Sequence, residues 1–460
     1  MLIVILFYNM QTSGEQNRNQ IKLSEEQQIV FDKYILKENI FMTGPGGTGK
    51  SALIKYIVDD AKNKRTQLNV CALTGCAAVL LECGAKTIHS WAGIGLAKDT
   101  IDQVVNKVAN SKYKQKNWIM AQILIIDEVS MMSLKLFEIL DKIGKKCRKN
   151  EKPFGGIQVI FSGDFLQLPP VGNVGDMDSY KFCFESKLWK TTFPNQIELK
   201  KIFRQKDEQY TKILNQIRKG RISKNSCRIL ESYIGRKIQE EEIIKPTILF
   251  PRKKQAEDLN QTSLNAINEE IHSFIMGPCK EEDLLLITEI QKHKCAFFTP
   301  EEIVREQTFM INNINCEKTL KLKKGAQVMC IVNLDMDSET PICNGSQGIV
   351  EDFTQLGTPI VKFRNGSRRA INYHTWQSEK IPIVGIKQIP LILAWAVTIH
   401  KSQGATLEMA EIDIGNHIFA CGQTYVALSR VKNLDGLYLK SFNPQKIKIN
   451  LKVVDFYNNI

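Results

Sequence analysis

Gly44-Pro45-Gly46-Gly47-Thr48-Gly49-Lys50-Ser51 fits the spacing G-x-x-x-x-G-K-[ST]. Gly44, Gly46, Gly47 and Gly49, with Thr48 between them, let backbone N–H groups close around phosphates where a Cβ would clash. The helix predicted over 51–60 turns its positive end toward the same anion. Lys50 is placed to reach the β- and γ-phosphates and Ser51 to ligate magnesium. An apolar run over 39–43 precedes the loop and reads as a short buried strand. Strand, glycine loop and helix in that order are the context that a phosphate loop needs.

About 75 residues downstream, Ile123-Leu124-Ile125-Ile126-Asp127-Glu128 is an apolar strand ending in two carboxylates. Ligands of open α/β sheets bind at the C-terminal edges of parallel strands. Asp127 is the candidate magnesium ligand and Glu128 the candidate that polarises the attacking water. Together with the loop, the pair implies ATP hydrolysis with ATP and Mg2+ as cofactors. Further strands are predicted over 68–73, 157–161 and 247–250, alternating with helical stretches. That alternation predicts an α/β fold, parallel sheets flanked by helices. Ser24 with Gln27 three residues later is a capping box that starts a helix. Short strand-like runs over 326–332, 348–353 and 358–363, with turn signals at Asn344-Gly345 and Asn365-Gly366, predict a small β insertion. Residues 265–320 show no clear period.

Gln167, in Gly163-Asp164-Phe165-Leu166-Gln167-Leu168-Pro169-Pro170, is open to two readings. It senses the γ-phosphate, or it belongs to a strand-end loop stiffened by two prolines. The transition state of phosphoryl transfer loads charge on the γ-phosphoryl group and calls for arginines. Arg204 and Arg430 are the candidates, with ordinary surface arginines as the alternative.

The 460 residues carry a formal net charge of +13, which favours a polyanionic partner through counterion release. None of the 12 cysteines forms a C-x-x-C pair, so zinc ribbons and thioredoxin-type sites lack their spacing. Residues 1–21 read as a flexible lead-in whose apolar start is too short to span a bilayer. It also lacks the charged region of a signal peptide, so a soluble intracellular protein is expected.

The order of these segments resembles superfamily one helicases, and in particular the petite integration frequency (PIF-type) family. The pieces are LSEEQ at 23–27, GPGGTGKS at 44–51, LTGCAA at 73–78, TIHSWAGIG at 87–95 and IIDEVSMM at 125–132. KPFGGIQVIFSGDFLQLPPV at 152–171, FRQ at 203–205, LKKGAQVM at 322–329 and NGSQGIV at 344–350 follow. LAWAVTIHKSQGATL at 393–407 and QTYVALSRV at 423–431 complete the set. The resemblance runs from about residue 22 to the C-terminus, and KPFGGIQ is its most specific piece.

It implies two RecA-like P-loop domains with ATP in the cleft between them. The first covers 22–195, with a short basic wedge region at about 96–120. The second covers 196–325 and 389–460, interrupted by a β-barrel at 326–388. It implies that Gln27 recognises adenine and that Gln167, Arg204 and Arg430 complete the γ-phosphate site. Thr74, Gly75, His89 and Ser90 are implied single-strand contacts on the first domain, and Thr398, His400, Lys401 and Gln403 on the second. Trp91 and Trp395 are open to base stacking or to burial in a core. The implied activity is ATP-dependent 5′-to-3′ movement along single-stranded DNA with unwinding of forked duplexes. The implied setting is a monomeric motor in genome maintenance, in the nucleus or mitochondrion of a eukaryote. Two rivals stay open: a DNA-stimulated translocase that remodels nucleoprotein without unwinding, and a silent nucleic-acid-binding protein. RNA as the track stays open as well.

Overall fold

The computed structural model describes residues 22–460 apart from 96–98, 174, 204–206, 239–243, 285–294, 296, 315, 335–338, 379–380, 400 and 403–404. The lead-in lies outside the described residues, as do Arg204, expected at the γ-phosphate, and His400 and Gln403, expected on the single strand.

The first sheet contains β1 (Ile40–Thr43), β2 (Leu68–Ala72), β3 (Lys86–Thr87), β4 (Ile123–Asp127), β5 (Gln158–Ser162) and β6 (Asn195–Glu198). They lie in the order β3-β2-β4-β5-β1-β6, and every pairing is parallel. The period-2 geometry of strands sorts their side chains onto two faces. Phe41, Leu124, Ile126, Val159 and Phe161 enter one core, while Ile40, Met42, Ile123, Ile125 and Ile160 enter the other. In β1, β4 and β5 every residue is buried, as expected of central parallel strands covered on both faces.

The KPFGG signature has a packing role. Phe154, Gly155 and Gly156 all adopt positive φ, and the backbone of 154–155 lies against Gly144 in the Leu134–Arg148 helix. A Cβ at Gly144 would meet the Phe154 carbonyl oxygen at 2.6 Å, and one at Gly155 would meet the Gly144 oxygen at 2.3 Å. Asp141 accepts the Phe154 N–H at 2.9 Å, and Arg148 donates to the Gly155 carbonyl at 2.8 Å. The basic wedge region is not a loop: it forms helices Ile101–Ala109 and Lys112–Met120. Trp118 is fully buried there, 4.8 Å from the ring of Trp91. Trp91 is therefore a core residue, and Trp395 packs on the core of the insertion.

β7 (Thr247–Phe250) opens the second sheet, and the chain then leaves it. β8 (His272–Ile275), β9 (Gly277–Pro278) and β10 (Thr319–Leu322) come first, then β11 (Gln327–Cys330), β12 (Gln347–Phe353), β13 (Pro359–Phe363) and β14 (Arg368–Ala370). β15 (His374–Gln377), β16 (Gly385–Gln388) and β17 (Leu391–Leu393) finish the excursion. β14-β13-β12-β11-β17 form an antiparallel sheet. β8 pairs with β10, and β9 with β16. Antiparallel pairing thus begins at His272 and runs on to Leu393, a wider span than 326–388. The Pro300–Asn313 helix, started by a Thr299 capping box, packs on the same region.

The chain returns through β18 (Ala396–Thr398), β19 (Ala410–Ile414) and β20 (Leu437–Phe442). The second sheet, β18-β7-β19-β20, is again wholly parallel. Its core takes in Tyr210, Ile213, Leu214 and Ile217 from the Glu208–Arg218 helix. The last helix, Leu451–Tyr457, crosses back to the first domain. Val453 joins that core, and the ring of Phe456 stacks 4.4 Å from Phe184.

Candidate nucleotide site

The loop after β1 is held in shape by its own polar groups and by both flanks. Thr48 is buried, and its hydroxyl donates to the Pro45 carbonyl at 2.9 Å. Gly44 and Gly49 have positive φ, and a Cβ on Gly44 would lie 2.4 Å from the Leu199 carbonyl oxygen. Lys50 begins the Lys50–Asn63 helix and donates to the carbonyls of Gly44 and Pro45 at 2.8 and 3.0 Å. Burial pulls its ammonium below the usual range, against the attraction of Asp164, Glu128 and Asp127.

Gln27 serves two ends at once. Its Oε1 accepts the Ser24 N–H at 2.9 Å, completing the capping box, while its Nε2 donates to the Thr48 carbonyl at 3.2 Å. The predicted cap is present, and the same side chain sits against the phosphate loop.

Asp127 ends β4, and Glu128 follows with φ 57°, a left-handed turn that lifts its carboxylate off the strand line. Burial raises the Asp127 carboxyl above its usual range, against the Ser162 hydroxyl, the Glu128 backbone and Lys50. Glu128 is pushed up to about 7 by burial and by Asp127, against the pull of Lys50 and Arg430.

A cavity of about 1000 Å³ gathers most of the predicted residues. Gly46, Gly47, Gly49, Lys50 and Ser51 line it with Asp127, Glu128 and Gln167 from the first domain, and Arg430 reaches it from the second. Arg430 is 3% exposed and donates to the Val426 carbonyl at 3.0 Å and the Ser429 hydroxyl at 2.8 Å. The backbone of Leu166 and Gln167 abuts Gly422 of the second domain, where a Cβ would meet the Gln167 carbonyl oxygen at 2.3 Å.

The expected DNA contacts are not gathered in one place. Thr74 and Lys401 line the cavity just described. Gly75 lines a second hollow of about 400 Å³ between the first domain and the insertion. His89 lines a third, where burial lowers its imidazole pKa, and the neighbouring Ser90 is exposed. Thr398 is buried, and its hydroxyl accepts the Lys401 N–H at 3.1 Å.

Four residues that sequence reasoning passed over hold the floor of the site. Asp164 is fully buried and accepts from Arg218 Nε and Nη2 at 2.9 and 3.0 Å, from the Tyr457 hydroxyl at 3.1 Å and from the Leu166 N–H at 3.2 Å. The Tyr457 hydroxyl also accepts the Phe165 N–H at 3.2 Å and meets the Thr43 hydroxyl at 2.6 Å. A phenol has one proton, and here it goes to Asp164, so Thr43 is the donor of that last bond. Tyr425 is the fourth: its hydroxyl accepts the Gly46 N–H at 3.0 Å. Asp164, an acid two residues past the end of an apolar strand, carries a weaker form of the signal that flagged Asp127. Tyr425 lies within the QTYVALSRV run but nothing there points to the loop, and Tyr457 and Arg218 carry no local signal.

Comparison with known proteins adds the lineage. Residues 22–228 match PIF1-like helicase, and residues 309–353 match DNA helicase Pif1, 2B domain. The crystal structure of Pif1 helicase from Candida albicans is 33% identical with a TM-score of 0.71, across 96% of this chain and 100% of that one. The chain belongs to the PIF1-like helicase family. ATP-dependent DNA helicase PIF1 of Xenopus laevis is 35% identical over 449 residues, 96% of this chain. The chain spans 65% of the length of that relative. A Bacteroides Pif1 helicase in complex with ADP-AlF3 and ssDNA is 28% identical with a TM-score of 0.62, across 96% of this chain and 97% of that one. The α/β fold with two parallel sheets and an antiparallel insertion is that of PIF1-like helicases, as the motif order implies. Among the described residues, no helix is long and apolar enough to cross a membrane.

Proposed function

We propose that the protein is an ATP-dependent DNA helicase that moves 5′-to-3′ along single-stranded DNA and opens forked duplexes in genome maintenance. The carrying observation is that one cavity takes Lys50, Asp127 and Glu128 from the first domain and Arg430 from the second. Hydrolysis then depends on both domains, and closing or opening the cleft couples chemistry to movement. The Candida and Xenopus relatives are named as Pif1 helicases, and the Bacteroides homologue holds ADP-AlF3 and ssDNA, in line with this reading.

In this reading Lys50 and the loop N–H groups bind the phosphates, Glu128 takes a proton from the attacking water, and Arg430 balances charge on the γ-phosphoryl group. Gln167 and Arg204 complete the γ-phosphate site, and Gln27 meets the adenine. Ser51 and Asp127 offer the hard oxygen donors that magnesium takes, and both line the cavity. The ion, when bound, neutralises charge on the phosphates. Thr74, Gly75, His89, Ser90, Thr398, His400, Lys401 and Gln403 are the proposed strand contacts, brought into line by domain movement.

The deciding experiment is strand displacement on duplexes with a 5′ or a 3′ single-stranded tail, with ATP and magnesium and with Lys50→Ala as control. Unwinding of the 5′-tailed duplex alone, lost in the variant, is expected. Unwinding of only the 3′-tailed duplex overturns the polarity. DNA-stimulated turnover with no unwinding of either replaces the helicase with a translocase.

A further inference from the structure

The Gln423–Leu428 helix of the second domain is buried along its whole length. Tyr425 is 3% exposed, and its hydroxyl reaches across the cleft to accept the Gly46 N–H. A side chain at Gly46 would sit 3.7 Å from that hydroxyl and 3.8 Å from Arg430 Nη2. The face of the loop at Gly46 is therefore the face that Arg430 approaches, where the proposed motor places the terminal phosphate. Pro45 has no N–H, so Gly46 is the first donor of the loop beyond Gly44. A backbone N–H carries one proton and serves one acceptor well. A phosphate oxygen at this end of the loop and the Tyr425 hydroxyl compete for it.

We propose that Tyr425 is a positioning residue of the triphosphate site, which holds the Gly46 N–H in competition with the terminal phosphate, so that entry of a triphosphate must break a bond between the two motor domains. The proposal rests on the ATP-motor reading and deepens it. Tyr425 and Arg430 lie five residues apart on one buried segment, so the bond to Gly46 and the arginine are carried by the same packed element.

Tyr425→Phe keeps the ring and its packing and removes only the hydroxyl. The test is equilibrium titration of the full chain with adenylyl imidodiphosphate and, separately, with ADP, both with magnesium. Losing one neutral hydrogen bond from the competing state should tighten triphosphate binding about three- to tenfold. ADP, which lacks the terminal group, should shift less than about twofold on the same grounds. KM for ATP should fall in parallel. Unchanged or weaker triphosphate binding overturns the proposal, and so does an equal gain for both nucleotides. Tyr425→Leu, which also lacks the hydroxyl, serves if the phenylalanine variant does not fold. A wild-type chain that binds neither nucleotide overturns the ATP-site reading itself, a result distinct from failure of the competition.

Discussion

Arg218→Met removes the guanidinium that neutralises Asp164, a carboxylate with no exposed surface. Two of the four hydrogen bonds that Asp164 accepts come from Arg218, at 2.9 and 3.0 Å. What remains is a buried anion held by one phenol and one backbone N–H. Breaking a buried pair from one side costs about 3–5 kcal/mol, because the surviving charge is left uncompensated. Across a chain of this size that is about a 3–5 °C fall in Tm. Asp164→Asn should cost less, because the guanidinium keeps its pairing with Glu198 at 3.2 Å. The double variant leaves no buried charge, so it should lose only the net worth of the hydrogen bonds, about 1–3 kcal/mol. Urea unfolding followed by tryptophan fluorescence gives the three values and closes a double-mutant cycle. A loss below about 1 kcal/mol in Arg218→Met, or single costs that simply add in the double variant, would refute the reasoning.

Two further outcomes follow from the site. The Glu128 carboxyl lies near 7, so above that pH it is ionised and able to take a proton, and below it is protonated and cannot. DNA-stimulated turnover should therefore fall about tenfold for each pH unit below 7, and a pH–rate profile flat from 5.5 to 8 would remove Glu128 from that role. Arg430→Lys keeps a positive charge but loses the planar fork, and turnover should drop about 10³-fold or more with single-strand affinity kept. Steady-state ATP hydrolysis beside fluorescence anisotropy checks this, and intact turnover contradicts it.

The first domain was legible because its strands announce themselves locally. The run at 123–126 is apolar on both faces, and the structure extends it by one residue to Asp127. The strand predicted at 247–250 is found at those residues, the one at 68–73 ends a residue earlier, and the one at 157–161 lies one residue further on. The stretch at 265–320 hid its strands because they are short and half exposed. β8 has a single buried residue, Phe274, and its partner lies more than 40 residues on. The same distance hid the floor of the nucleotide site. Tyr457 and Asp164 stand 293 positions apart, and Tyr425 and Gly46 379, so no local pattern joins them. Lys50, Asp127 and Glu128 were legible because their chemistry sits on contiguous motifs, whereas the residues that hold those motifs together come from the other end of the chain.

The return of the last helix to the first domain limits how the two domains of the proposed motor can move. The chain passes from the first domain to the second after β6, and back again before Leu451. A lobe tied to its neighbour at one point can swing about any axis through it. A lobe tied at two points, like a lid on a pair of pins, turns about the line that joins them. Tyr457 fixes the second pin beside Thr43 and Asp164, directly beneath the phosphate loop. In the proposed motor the second of these ties therefore lies close to the site of chemistry, and every opening of the cleft has to leave it in place.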